Sequence, residues 1–370
     1  MTVSMTPGKL AGLRAVSDAR GVFAAVAMDQ RGLLRQMMAS AVGSGEALDD
    51  AIAEFKRLVA EELCQEASAI LLDLQYGLEA ARAIRGHGLL LAYEHAGYTA
   101  EHPERLPSLY EGWSALRLKE AGAHAVKILV YYNPFEQEWV NDRKKAWVER
   151  IGAECRAIDL PLFLEFLGYD VSGHGEKSRE YARLKPEIVM RSVEEFTRER
   201  YAADVLKIDV PVEMQHVEGT AAFRGDKLHS RAEAMQLMRD AAALTGKPIV
   251  YLSAGVGNEV FVETLQLAAE AGVPFHGVLA GRAIWQEGVP VYMQQGPDAL
   301  RNWLRSTGIV YLRAVKQALG AARPWLQAPS MEKLREELSL AGPVQLEERL
   351  AARECHGMNA SGGGESTCKP

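Results

Sequence analysis

Eight short apolar runs recur along the chain, and polar, helix-period segments separate them. The runs are Gly21–Gln30, Ala69–Leu74, Gly88–Tyr93, Ala125–Tyr132, Pro161–Leu167, Ala203–Val212, Pro248–Ala254 and Phe275–Gly281. Each is rich in Val, Ile, Leu or Ala, with little alternation, as strands buried on both faces are. Helical spacing is predicted near Leu48–Glu66, Leu78–Arg85, Trp113–Ala121, Trp139–Ile158, Pro186–Tyr201, Arg231–Thr245 and Asn258–Ala271, the last capped by Asn258. Lys9–Asp18 reads as a short amphipathic helix that closes one end. Eight strand–helix units over about 260 residues are what a (β/α)8 TIM barrel requires. A doubly wound sheet is the alternative, but Met28-Asp-Gln-Arg-Gly32 is not the glycine-rich turn it would show.

After the barrel, helices are expected at Thr307–Ala322, Ser330–Leu340 and Val344–Cys355, before a glycine-rich tail at Ser361. The expected fold class is therefore α/β, a (β/α)8 barrel with extra C-terminal helices. The expected organisation is a barrel over residues 1–325, a helical extension over 326–358 and a flexible tail over 359–370.

Three neighbouring strands break the apolar pattern with one charge each: Lys127, Glu165 and Lys207. An ammonium or carboxylate in a buried strand is costly unless paired or used. Strand side chains alternate between lumen and helix layer, so the lone charges should face the lumen, near the strand C-termini where barrel active sites lie. Asp29, Asp73 and Glu94, at strands one to three, join them. An amine beside a second cation in a low-dielectric pocket loses its proton more readily and becomes a nucleophile, and a carboxylate beside it can shuttle protons. Lys127, Lys207 and Glu165 thus supply the minimum for imine-based carbonyl chemistry, with the nucleophile open between the two lysines. The bland alternative is a buried ion-pair network that serves only the fold.

Two further stretches suit an anion. Leu252-Ser-Ala-Gly-Val-Gly-Asn258 ends strand seven with small residues opening a helix, and Leu279-Ala-Gly-Arg282 ends strand eight with a glycine and a guanidinium. Barrels of this class commonly hold phosphate at these two loops. Gly168–Lys177 is a glycine-rich polar loop.

Composition narrows the class. The 370 residues are 48% hydrophobic and 25% charged, with a net charge of −7, which suits a globular protein and points to neither nucleic acid nor an acidic membrane. The longest apolar run falls short of the roughly 18 residues of a membrane span, and no signal-peptide pattern opens the chain. Cys64, Cys155, Cys355 and Cys368 are scattered and read as reduced cytoplasmic thiols. The nine histidines form no metal motif; His276 reads as a packing residue, and Met235, Met238 and Trp147 as helix-to-barrel packing.

The sequence resembles the class I tagatose 1,6-bisphosphate aldolase family, which also includes sulfofructose-phosphate aldolases. The matching stretches are Ala27–Gly32, Leu91–Glu94, Val126-Lys127, Tyr131-Tyr132, Leu164-Glu165, Tyr169-Asp170, Val205–Val212, Leu252–Val256 and Gly277–Ala283. The resemblance implies a lyase without metal or cofactor that forms its Schiff base on Lys207 and shuttles protons through Glu165. Lys127 and Asp29 would be polar partners. Ser253, Gly255, Gly281 and Arg282 would hold the phosphate on C1, and Gln30 and Arg31 would reach the far anionic group. The expected substrate is a small sugar phosphate, a ketose 1-phosphate or 1,6-bisphosphate cleaved to dihydroxyacetone phosphate and an aldehyde. A homo-oligomer, dimeric by expectation, is the anticipated state. A sulfofructose 1-phosphate aldolase of the same mechanism, a metal-dependent phosphosugar aldolase or isomerase, and a non-catalytic sugar-phosphate-binding protein are the rival readings.

Overall fold

The computed structural model describes residues 5–42, 44–95 and 104–340; the expected helix at Val344–Cys355, the tail, Cys355 and Cys368 lie outside them. Eight parallel strands close into a barrel: β1 (Phe23–Met28), β2 (Ala69–Asp73), β3 (Gly88–Ala92), β4 (Ala125–Tyr131), β5 (Leu162–Leu167), β6 (Val205–Ile208), β7 (Ile249–Leu252) and β8 (Gly277–Ala280). Each pairs with its sequence neighbours, and β1 closes the ring on β8 through Phe23 opposite Gly277.

The strand parity separates two cores. Phe23, Ala25 and Ala27 of β1, Leu71, Leu90, Ala125, Phe163, Val205, Val250 and Leu279 point inward and pack together. The alternate residues, among them Val26, Ile70, Leu91, Ile128, Leu164, Leu206, Tyr251 and Val278, meet the surrounding helices. Phe23 and Phe163 meet edge to face at 5.3 Å, filling the lumen near its N-terminal end. Gly277 has φ +138°, and a Cβ there would lie 2.0 Å from the Phe23 carbonyl oxygen, so only glycine lets β8 approach β1 this closely.

The helices are α1 (Pro7–Ala15), α2 (Gly32–Val42), α3 (Glu46–Leu63), α4 (Leu78–Ala83), α5 (Ala115–Glu120), α6 (Glu138–Ala157), α7 (Arg179–Phe196), α8 (Arg231–Ala243), α9 (Asn258–Glu270), α10 (Arg282–Trp285), α11 (Gly288–Trp303), α12 (Ile309–Ala318) and α13 (Glu332–Leu340). Helix α1 and a segment containing Trp325, Met331 and Leu334 pack on the inward-facing core and seal the N-terminal end. That segment also straddles the seam: Arg323 N–H donates to the Phe275 carbonyl at 2.9 Å, and Trp325 N–H to the Gly21 carbonyl at 2.8 Å.

Three local expectations shift. Helix α7 begins at Arg179, not Pro186, because the Ser178 hydroxyl accepts the Tyr181 N–H and starts the helix a full two turns earlier. The cap of α9 is Gly257; the Asn258 amide instead donates to the carbonyls of Ala283 and Tyr311. Helices α2 and α11 add to the expected set; α11 consists of two pieces meeting at Gly296, φ +83°, next to Pro297. No helix among the described residues is long and apolar enough to cross a membrane. Cys64 and Cys155 are free and buried.

Candidate active site

At the C-terminal end of the lumen the inward positions turn from apolar to charged. One step beyond Phe163 stands Glu165, beyond Val205 stands Lys207, and beyond Ala125 stands Lys127. Glu165 and Lys207 are direct partners in the β5–β6 register, which aims both side chains into the same space. The Lys207 Nζ donates to Glu165 Oε2 at 2.9 Å.

Lys127 lies deeper and is 1% exposed. Its Nζ reaches Asp29 Oδ2 at 2.7 Å, Glu94 Oε1 at 2.7 Å and Glu165 Oε2 at 2.9 Å. Burial pulls its pKa down, but the three carboxylates outweigh that and hold the ammonium well above the ordinary lysine value. Burial pushes Asp29 up, yet Lys127 and then Lys207 win and keep it well below the usual carboxylate range. Burial dominates at Glu94, whose carboxyl is raised and whose Oε2 finds no hydrogen-bond partner. The Glu165 carboxylate therefore bridges two amines of different character: Lys127 with three acidic neighbours, Lys207 with one.

A cavity of about 710 Å³ opens above this cluster. Asp29, Gln30, Glu165, Lys207, Ser253, Gly255, Gly281 and Arg282 all line it, so eight of the ten residues singled out in the sequence converge on one space. Lys127 sits beneath, bonded to Asp29 and Glu165. Arg31 lies elsewhere: its guanidinium donates to the Glu94 carbonyl at 2.7 Å and to the Tyr110 hydroxyl at 3.2 Å, with Glu94 Oε1 at 3.4 Å. Asp73 also stands apart, paired with Lys56 of α3 and accepting the turn N–H groups of Gln75 and Tyr76 at 2.9 Å.

Backbone shape builds a cradle from the loops after β7 and β8. Ala254 and Gly255 take φ +47° and +80°, turning the chain after β7 so that α9 starts at the cavity edge. A Cβ on Gly255 would lie 2.3 Å from the Arg282 guanidinium, so the glycine is what admits that group. The Arg282 guanidinium makes no hydrogen bond or ion pair with any described residue, and burial lowers its pKa. A partly buried guanidinium without an acid, beside a helix start, has the charge and donors to receive an anion.

The far wall contains residues that sequence reasoning passed over. Buried Lys185 of α7 bridges Asp209 at 2.9 Å and Glu213 at 2.5 Å, and both carboxylates line the cavity with Lys177, Tyr181 and Arg224. Asp209 carried a readable signal, since it shares parity with Lys207 two residues earlier. Lys177, Glu213 and Arg224 lie between the barrel strands and helices and Tyr181 and Lys185 on α7, where strand period gives no guide. The described residues hold no group of three or more His, Cys, Asp or Glu side chains placed to share a metal ion. His276 is a buried packing residue that accepts the Ile249 N–H at 3.1 Å, with burial lowering its pKa to about 4.

A closed parallel barrel with amines and carboxylates at its strand C-termini, next to a guanidinium cradle on the last two loops, has the groups that carbonyl chemistry needs. The chain belongs to the DeoC/LacD family of aldolases, whose model matches residues 23–287. It is 47% identical over 333 residues to a tagatose 1,6-diphosphate aldolase of Listeria monocytogenes serotype 4b, covering 89% of this chain and 97% of the relative. It is 46% identical over 330 residues to tagatose 1,6-diphosphate aldolase 2 of Streptococcus pyogenes serotype M1, covering 88% and 99%. Among solved structures, a fructose-bisphosphate aldolase of Plasmodium falciparum superposes with a TM-score of 0.60 at 13% identity, covering 84% of this chain and 94% of that one. A Schiff-base-forming fructose-1,6-bisphosphate aldolase gives 0.51 at 17%, covering 83% and 97%. At such identities these two likenesses speak for the barrel fold alone.

Proposed function

We propose that this aldolase is of class I, cleaving a ketose 1,6-bisphosphate, tagatose 1,6-bisphosphate foremost, to dihydroxyacetone phosphate and an aldehyde phosphate. The observation that carries the reading is the unequal surroundings of the two lumen lysines. Lys127, ringed by three carboxylates, is a fixed cation; Lys207 has one carboxylate partner and opens on the cavity beside the cradle. The names of the relatives at 46–47% identity support the substrate class.

In this reading the C1 phosphate rests against Arg282, the Ser253 hydroxyl and the backbone at Gly255 and Gly281. The free Lys207 amine attacks the C2 ketone, and Glu165 delivers the proton with which the carbonyl oxygen departs as water. Once the C4 hydroxyl gives its proton to the Glu165 carboxylate, the C3–C4 bonding pair moves into the iminium, leaving an enamine and releasing the aldehyde. Protonation at C3 and attack of water on the imine return the amine and free dihydroxyacetone phosphate. Lys127 holds Asp29 and Glu165 in place and keeps its charge throughout. The same reading extends to a cytoplasmic homodimer, to which free, buried Cys64 and Cys155 and the prevalence of twofold assemblies are congenial.

Borohydride added with substrate should fix a triose-phosphate mass on Lys207 and inactivate the protein. Full activity of Lys207→Ala would sink the assignment.

A further inference from the structure

The loops after β3 and β5 meet over the mouth of the barrel in a contact the carbon–carbon chemistry does not require. The Arg105 guanidinium lies between two tyrosine rings, 4.7 Å from the centroid of Tyr131 and 5.1 Å from that of Tyr169. Its Nη2 pairs with Glu176 Oε1. Tyr131 ends β4 at the same parity as Lys127, and β4 stands four strands from β8 around the ring, so Arg105 lies across the mouth from the Arg282 cradle. Arg105 holds φ +47°, a left-handed backbone that a non-glycine residue adopts at a cost, so its surroundings fix its place.

Glu176 differs from the carboxylates below it. It is 42% exposed, lines the cavity, and belongs to a loop in which Gly173 and Gly175 take φ +85° and +88°. A half-exposed pair of this kind contributes little stability, and a phosphate dianion offers the guanidinium fork a stronger, bidentate partner. Arg31, the arginine the sequence offers for the far end of the substrate, is engaged by Glu94 and Tyr110.

We propose that Arg105 receives the phosphate at the far end of the substrate, and that Glu176 occupies the guanidinium as a stand-in until substrate displaces it. The inference rests on the reading of the substrate as a ketose bisphosphate. Its test is Arg105→Met, assayed on a ketose 1,6-bisphosphate and on the matching ketose 1-phosphate. The preference in kcat/KM for the bisphosphate should fall about 10- to 100-fold, mainly through KM. Dihydroxyacetone phosphate with borohydride should still label Lys207 in this variant, which reports an intact fold. Glu176→Gln, which weakens the competitor, should raise the preference. An unchanged preference in Arg105→Met, an equal loss on both substrates, or a lowered preference in Glu176→Gln overturns the proposal. If borohydride labels no lysine in the unaltered protein, the Schiff-base reading fails instead, and the substrate preference of Arg105→Met still decides the distal site.

Discussion

At the N-terminal end of the lumen, Phe23, Phe163, Val205 and Val250 pack beneath α1, Trp325 and Met331, and water is shut out. One inward position further along the same strands stand Glu165 and Lys207, and the lumen opens into a cavity. The two layers share strands, parity and burial, and differ in whether each polar atom finds a partner. The charged layer is tolerable because Lys127 gathers three carboxylates at 2.7–2.9 Å and Lys207 has both Glu165 and the cavity. Moved one step down, the same charges would face Phe23 and Phe163 with nothing to pair. A barrel thus places reactive groups by the layer they occupy.

The sharpest way to break this division is Lys127→Met, which leaves Asp29, Glu94 and Glu165 without their shared cation. Stability should fall by about 3–5 kcal/mol, read from urea unfolding, and turnover should fall with it. The acid limb should change as well. Asp29 is depressed below its ordinary 3.8, so its contribution is present above that pH and drains as pH falls towards its folded value; in Lys127→Met this drain should vanish. Trp325→Ala opens the sealed end instead. It should cost about 3 kcal/mol while kcat/KM of the folded protein stays unchanged, because the lost packing lies a layer below the chemistry.

Gly255→Ala tests the cradle alone. A methyl 2.3 Å from the Arg282 guanidinium, at φ +80°, should raise KM about 10-fold in steady-state assays and leave borohydride labelling of Lys207 intact. The smallest effect should come from Lys144, fully buried in α6 and donating to the Tyr169 hydroxyl at 2.8 Å. Burial lowers its pKa from 10.5 to about 8, so between those values the unfolded chain binds the extra proton. Stability relative to Lys144→Met should therefore rise with pH across that window, as urea midpoints at several pH values would show.

The barrel and its polar layer were legible because both are written in short-range period. Eight apolar runs mark eight strands, and Lys127, Glu165 and Lys207 each interrupt one at an inward position. The choice between the two lysines was not legible from residues alone, since it depends on Asp29 and Glu94 arriving from strands far away in sequence. For the same reason Arg31 reads as free in the sequence, although Glu94 and Tyr110 hold it. Pro186 misled because proline usually opens a helix, whereas here it stands inside one that Ser178 has already started. Arg105 and Glu213 act through loop and helix contacts that no local pattern encodes, whereas Asp209 stands at the parity of Lys207.

The seam between β1 and β8 has a kinetic consequence. Phe23 pairs with Gly277, so the first strand made on the ribosome keeps one bare edge until nearly the whole barrel has been translated. Such a late, long-range pairing slows folding. The strap that follows, from Arg323 to Trp325, bonds Phe275 on one side of the seam and Gly21 on the other, and so fastens the ring as the last of it emerges.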